Sequence, residues 1–440
     1  MDDTFDCIIV GGGVAGLSAA MTLARSGLSF LLVERGEFPG AKNVSGGILW
    51  GEDLSRLVPG FETEEAGWER YINHRRLSFL DSQSAFSLDF KSERFDTPPW
   101  TGISVLRSRF DRWLAEKTEA AISEGPAAGS SLIATGILVD EILIEEGRAV
   151  GIRAGGESFP ARSVILAEGV NNLLTRQVGL QHSRVPDDSM LTGVKEIIRF
   201  DRQVLENRFQ LRGQSGVTYE FVGDSTLGVE GGGFLYTNRD SVSIGLVLGL
   251  HDLREKGHKP YDILSRFKEH PVIRDMIAGG ETVEYSSHVV SSGDRNLIPK
   301  ELCMDGLLVC GEAAHLLMNN GRAIQGMDFA MRSGMLAAET ILEAHEAQDF
   351  GLPVLKGYQK KLDESFVMKQ INGFQGAVEL LHDPVLYRKV PPLLCSFGQK
   401  YFSVRNEPSR KARRLFAESV KEHASWREMI QVGIKGLRSL

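Results

Sequence analysis

Cysteine is scarce in this sequence. Cys7, Cys303, Cys310 and Cys395 are the only four in 440 residues, and no two form a C-x-x-C pair. A disulfide framework, a zinc site and an iron–sulfur site are therefore not expected. Long apolar runs are missing too. No stretch reaches the roughly 18 apolar residues of a membrane span, although the hydrophobic share of 42% is ordinary for a globular chain. No basic-then-apolar leader precedes the first strand pattern, so a cytoplasmic location is expected. Excess positive charge is absent as well. The net charge is −8, which gives no reason to expect nucleic acid. That balance hides a local asymmetry. From Lys400 on, ten basic side chains face four acidic ones, just after the apolar run 390–397. Such a tail suits a membrane surface or an acidic partner, and equally an ordinary solvated helical face.

What the chain has is glycine, placed where strands stop. The run Cys7-Ile8-Ile9-Val10 ends at Gly11-Gly12-Gly13-Val14-Ala15-Gly16, and a small-residue helical pattern follows over 14–25. Gly11-x-Gly13-x-x-Gly16 between strand and helix is a dinucleotide-binding fingerprint. Gly11 makes the tight turn, Gly13 lets backbone approach a pyrophosphate, and Gly16 lets helix and strand pack closely. The helix N-terminus, at Val14 and Ala15, offers free N–H groups and a positive dipole. Glu34 closes the next apolar run, with Arg35 behind it, where an acid would hold a ribose hydroxyl. The loop 36–47, with Lys42, Asn43, Val44, Ser45, Gly46 and Gly47, has the small residues that would let backbone approach a flat ring. It also reads as a plain surface loop.

The strand-then-glycine pattern recurs twice. Ser163 to Ala167 ends in Glu168-Gly169-Val170-Asn171, and Gly306 to Cys310 ends in Gly311-Glu312-Ala313-Ala314-His315. Ligands of open α/β sheets lie at such strand ends. His315 is either catalytic or a loop histidine beside the phosphate site. Gly321 and Gly326 lead into a helix from Met327 to about residue 343, whose positive end would favour negative charge on a reduced ring. Arg107 or Arg109, entering a helix that ends near 124, could aim a guanidinium at a phosphate or ring edge.

Residues 132–160 read as an antiparallel meander. Strand-like runs dominate 185–295, with a helical patch at 261–268. Beyond 346 the chain is helical and charged, broken at Pro353, Pro384, Pro391 and Pro392. The fold class is therefore α/β, a Rossmann-like dinucleotide-binding domain with an inserted antiparallel-sheet domain and a C-terminal helical region. The expected boundaries are 1–76, 101–184 and 296–345 for the first, 77–100 and 185–295 for the second, and 346–440 for the tail.

Together the three glycine stops resemble the FAD-binding pattern of glutathione-reductase-type flavoproteins, in the aromatic-hydroxylase-like branch. Aspartate is commoner there than Glu168 and Glu312. Arg107-x-x-Phe110-Asp111 matches a further element and points to Arg107 as the cofactor-side arginine. Four segments, 40–47, 105–114, 233–238 and 326–330, look like the FixC proteins, relatives of electron-transfer-flavoprotein:ubiquinone oxidoreductase. The resemblance covers nearly the whole chain. It implies FAD as the cofactor and electron transfer from electron-transfer-flavoprotein subunits to quinone. It also implies a small ferredoxin-like partner subunit and peripheral membrane contact at the inner face. Electron bifurcation occurs in some such complexes and is left open. The implied ring site lies between 42–47 and 321–327, with no catalytic side chain or metal beyond the flavin. The other readings are a geranylgeranyl-reductase-like prenyl reductase and an FAD-dependent monooxygenase.

Overall fold

A computed structural model describes residues 4–42, 46–64, 66–181, 185–321 and 323–439. Its first layer is a six-stranded sheet ordered Cys303–Met304, Leu307–Val309, Val164–Leu166, Cys7–Val10, Phe30–Glu34, Leu132–Thr135. Every pairing is parallel except the short hairpin of 303–304 with 307–309. The central strands are unbroken apolar runs because both faces are covered, and Cys7, Ile8, Ile9, Val164, Ile165 and Leu308 are fully buried. The meander expected over 132–160 is corrected here. Leu132–Thr135 pairs parallel with Phe30–Glu34 at the sheet edge, and the meander proper is Val139–Glu145, Arg148–Ala154 and Glu157–Pro160. Leu132-Ile133-Ala134-Thr135 is a short run without alternation that suits either neighbour, so the local signal does not choose.

Two helices, Val14–Ala24 and Met327–Glu346, cover the first sheet and meet each other closely. A Cβ on Gly334 would lie 2.1 Å from the Ala15 carbonyl oxygen, and one on Gly16 would lie 1.9 Å from that of Gly11. No side chain fits at either place, which fixes the close approach of the helices and the turn.

The second layer is a nine-stranded mixed sheet. Along its path lie Glu281–Ser291, Met190–Arg199, Ser241–Gly249, Gly231–Thr237, Ser215–Gly223, Arg70–Leu80, Gly102–Leu106 and Gly46–Trp50, with Ala85–Lys91 paired to Arg70–Leu80. All neighbours are antiparallel except Ser215–Gly223 with Arg70–Leu80. The sheet has its own core, in which Ile263, Leu264 and Phe267 of the Pro260–Glu269 helix pack with Val194, Ile244 and Leu246. The opposite face is turned toward the first sheet, and a large cavity opens between the two layers.

Among the described residues, seven further helices follow residue 346, from Leu352–Glu364 to Trp426–Ser439. Pro353, Pro384 and Pro391 sit in first turns of helices. There a missing N–H costs nothing and the fixed φ favours the helix, so these prolines start segments as well as interrupting the tail. No helix among the described residues is long and apolar enough to cross a membrane.

Candidate functional site

The cavity has a volume of about 800 Å³ and runs from the first glycine turn, past the Met327 helix, to Leu381, Leu386 and Tyr387 of the C-terminal helices. Its dinucleotide end is built by the crossing of two strand ends. Gly11 has φ +110°, and a Cβ there would lie 2.3 Å from the Ala167 carbonyl oxygen. Gly13 caps the first helix without a side-chain acceptor, leaving its first N–H groups facing the cavity wall of Gly13, Val14 and Ala15. Gly16 does not line the cavity; it locks the helix against the turn.

Glu34 and Arg35 line the same end. The Gly12 N–H donates to Glu34 Oε2 at 2.7 Å, and the Gly36 N–H to Oε1 at 2.6 Å. The carboxylate is thereby fixed at the strand end, and each oxygen keeps a lone pair. Glu168 and Gly169 are also wall residues. The Glu168 carboxylate, however, accepts from the Leu174 N–H (3.0 Å), the Thr175 N–H (2.7 Å) and the Thr175 hydroxyl (2.8 Å). It caps the short helix Leu173–Gln177. Gly311 is not in the wall. It has φ +65°, and its added Cβ would lie 2.9 Å from that of Ala15, so it packs behind the first helix.

Glu312 lines the cavity. Burial raises its pKa, and the nearby Arg107 opposes that rise. Arg107 forms two hydrogen bonds of 2.7 Å to the fully buried Asp111. Burial works against its charge, but Asp111 outweighs this and holds its pKa above the usual arginine value. Lys42, Gly46, Gly47, Gly321, Gly326 and Met327 complete the expected wall residues. Asn43, Val44 and Ser45 lie outside the described residues.

His315 is placed elsewhere. It is buried, and its Nε2 lies 2.9 Å from Asn172 Nδ2. Burial and then Arg176 push its pKa down to about 4. A neutral ring tied to Asn172 and outside the wall supports the loop.

Five further wall residues were given no site role from the sequence: Phe234 and Tyr236, inside the 233–238 segment, and Lys195, Glu220 and His288, which carried no motif. They arrive from four different strands of the second sheet. Glu220 is ion-paired to Arg75 at 3.1 Å, and Arg75 stacks over the Trp50 ring at 4.6 Å. The usable signal was a charge inside an otherwise apolar strand, as in Val194-Lys195-Glu196-Ile197.

Comparison with known proteins adds the identity of the parts. Residues 6–126 match the family model for FAD dependent oxidoreductases, 192–290 the ETF-QO ubiquinone-binding model, and 377–440 the ETF-QO/FixC family C-terminal domain. Protein FixC of Escherichia coli O157:H7 is 40% identical over 439 residues, covering 100% of both chains. The chain belongs to the ETF-QO/FixC family. The probable electron transfer flavoprotein-quinone oxidoreductase YdiS of Escherichia coli K12 is 37% identical, again over 100% of both chains.

Like the family, the chain is an FAD-dependent oxidoreductase that passes electrons toward quinone, with electron-transfer flavoprotein and quinone as its partners. Solved structures share the fold alone. A geranylgeranyl bacteriochlorophyll reductase-like protein from Thermoplasma acidophilum has TM-score 0.71 at 19% identity, covering 98% of this chain and 99% of that one. The myxobacterial halogenase CndH has TM-score 0.68 at 18% identity, covering 97% and 92%. The residues present suit FAD. The glycine cradle at Gly11 would be filled by any side chain, and the buried Tyr236 hydroxyl, with the Ser243 side chain beside it, belongs to the cavity wall.

Proposed function

We propose that FAD lies along the cavity with its adenosine diphosphate half at Gly11, Gly13, Val14, Ala15, Glu34 and Arg35. Its ring then lies between the Lys42 to Gly47 segment (Asn43, Val44 and Ser45 included) and Gly321, Gly326 and Met327, with quinone entering beside Leu381, Leu386 and Tyr387. One observation carries this reading. A single cavity is walled by the N-terminal glycine turn, by residues of the ubiquinone-binding match such as Gly193 and Phe221, and by the C-terminal family segment.

When bound, the flavin supplies the electron-carrying ring. The chain's own groups do the rest. The first-helix N–H groups bind the pyrophosphate, and Glu34, already fixed by Gly12 and Gly36, orients a ribose hydroxyl. Gly169 and Glu312 face the cofactor from the other two strand ends, Gly311 lets the first helix pack behind them, and Glu168 fixes the adjoining helix. Arg107, held by Asp111, presents its remaining N–H groups to the ring side. The apolar wall excludes water from the transfer path. The test is anaerobic reduction of the purified flavoprotein by a cognate electron-transfer flavoprotein, followed by quinone titration. Stoichiometric re-oxidation by quinone is expected. Re-oxidation that needs NADPH and oxygen instead would overturn the reading.

The finer partner calls have support of their own. Helix Trp426–Ser439 exposes Trp426, Ile430, Ile434 and Leu437 along one stripe, beside the basic residues of the tail. An apolar stripe with cationic flanks is the pattern of an in-plane interfacial helix, so the tail reads as the peripheral contact with the inner membrane face. All four cysteines are buried, and burial raises Cys7 to about 12 and Cys303 to about 11. Scattered through the sequence without a C-x-x-C pair, they favour a separate small ferredoxin-like subunit as the iron–sulfur carrier. Co-floatation with anionic liposomes, and co-purification with a ferredoxin-like subunit, test the two statements separately.

A further inference from the structure

The second sheet sends one cation into the ring end of the cavity. Lys195 lies mid-strand in Met190–Arg199, is 4% exposed and lines the cavity. Its ammonium has no hydrogen-bond partner among the described residues. A Cβ on Gly46 would lie 3.2 Å from Lys195 Nζ and 3.2 Å from the Tyr236 hydroxyl oxygen. That hydroxyl is itself buried, with the Ser243 side chain beside it. One strand position on, a Cβ on Gly47 would lie 3.2 Å from Met327 Cε, at the first turn of the long helix. The ammonium and the hydroxyl thus meet on one face of the strand at Gly46, and the first turn of the long helix meets its other face at Gly47.

The sheet is shaped to admit the lysine. Its cross-strand partner is Gly245, where a Cβ would lie 2.7 Å from that of Lys195 and 2.5 Å from the Phe234 ring. Along the edge strand Glu281–Ser291, the inward positions Glu284, Ser286 and His288 lie beside Ile197, Lys195 and Gly193. The charged and titratable groups facing Lys195 are therefore Glu284 and His288 from that strand, Tyr236 from Gly231–Thr237, and Arg107 from the Arg107–Glu124 helix. Glu284 attracts the ammonium and Arg107 opposes it. A buried cation left unpaired by the protein is costly unless something else meets it.

We propose that Lys195 is the positive pole of the ring end, meeting the negative charge that reduction places on a flavin ring lodged between Gly46 and Met327. The inference rests on the placement of FAD given above. Two electrons arrive from the electron-transfer flavoprotein. The ring takes one proton from solvent and keeps one negative charge, which the ammonium faces directly. Burial pushes the Lys195 pKa down to about 8 in the protein without that charge. Reduction raises it again. Between these two values each reduction therefore draws a second proton from solvent, onto Lys195.

Redox potentiometry of the holoprotein across pH 6 to 9 tests this. The wild-type potential is expected to steepen above about pH 8, by one proton per two electrons. That is an added tenfold in the equilibrium per pH unit, or about 30 mV. Lys195→Met is expected to lose tenfold or more of the preference for the reduced form, about 30 mV lower for each tenfold, and to titrate without the steepening. Lys195→Arg is expected to keep the potential at pH 7. A Lys195→Met potential within twofold of wild type would overturn the proposal. So would a wild-type profile that stays straight through pH 9, and this second measurement decides the matter if Lys195→Met is recovered without flavin. Failure of the wild type to hold FAD at all would instead overturn the cofactor placement.

Discussion

Replacing Gly334 with alanine sets two known effects against each other. In a helix interior, alanine is favoured over glycine by about 1 kcal/mol, so on propensity alone the change should stabilise. The new Cβ would lie 2.1 Å from the Ala15 carbonyl oxygen. Real Cβ atoms do not approach closer than 3.0 Å, so the two helices must separate by about 1 Å. The obstacle is backbone and cannot rotate away. Overpacking of this kind costs about 1–3 kcal/mol, and here it opens contacts along the whole length of both helices, so the upper end applies. The expected net is a loss of about 1–2 kcal/mol. Because Ala15 belongs to the first helical turn, where the pyrophosphate is proposed to bind, FAD affinity should fall with stability. Thermal melts of apo and holo protein, with fluorescence titration of FAD, read both effects. Gly433→Ala is the control, since its added Cβ meets nothing within 4 Å, and it should be neutral or slightly stabilising. A Gly334→Ala protein as stable as wild type with unchanged FAD affinity would refute the close-packing argument.

Other expectations follow from the site. Glu168→Ala leaves the Leu174 and Thr175 N–H groups without their acceptor and should cost about 1–2 kcal/mol, read by chemical denaturation. Arg107→Met removes two hydrogen bonds from the buried Asp111 carboxylate and should cost about 1.5–3 kcal/mol, with weaker flavin binding, read by chemical denaturation and flavin content. Burial raises the Asp328 carboxyl to about 7, with Asp53 adding to the rise and Gln325 and backbone N–H groups opposing it. The folded state therefore holds this proton more tightly than the unfolded chain. Stability from this group is full below about pH 4 and is lost as pH rises through 7. Asp328→Asn should remove that decline, measured as denaturation midpoints from pH 4 to 8. Ile430→Glu with Leu437→Glu should abolish liposome binding while leaving flavin content unchanged.

The parts of the fold nearest the glycine stops were legible because a strand buried on both faces has to be a short apolar run. Cys7–Val10, Val164–Leu166 and Leu307–Val309 each declare themselves in this way. The dinucleotide end of the cavity was legible for a related reason: Gly11 and Gly16 must be glycine where backbone crosses backbone. The capping role of Glu168 was not, since its acceptor groups meet N–H donors six and seven residues on, in a helix of only five residues. For His315 the sequence left two readings open, and its partner Asn172, 143 residues away in sequence, decides for the loop. Lys195, Tyr236 and His288 were illegible as a set. Strand register alone brings them together, and the register depends on pairings between segments that no local pattern relates.

The strand order of the first sheet also has a consequence in time. Cys7–Val10 is flanked by Val164–Leu166, which in turn needs Leu307–Val309 on its other side. The first helix is closed by Met327–Glu346. A ribosome adding about 5–20 residues each second leaves the opening glycine turn waiting roughly 15–60 s for its last neighbours. During that interval the strands Cys7–Val10 and Phe30–Glu34 have no complete sheet to join. Flavin capture is therefore a late event in the life of each chain, and a bound flavin certifies that synthesis has passed the long helix.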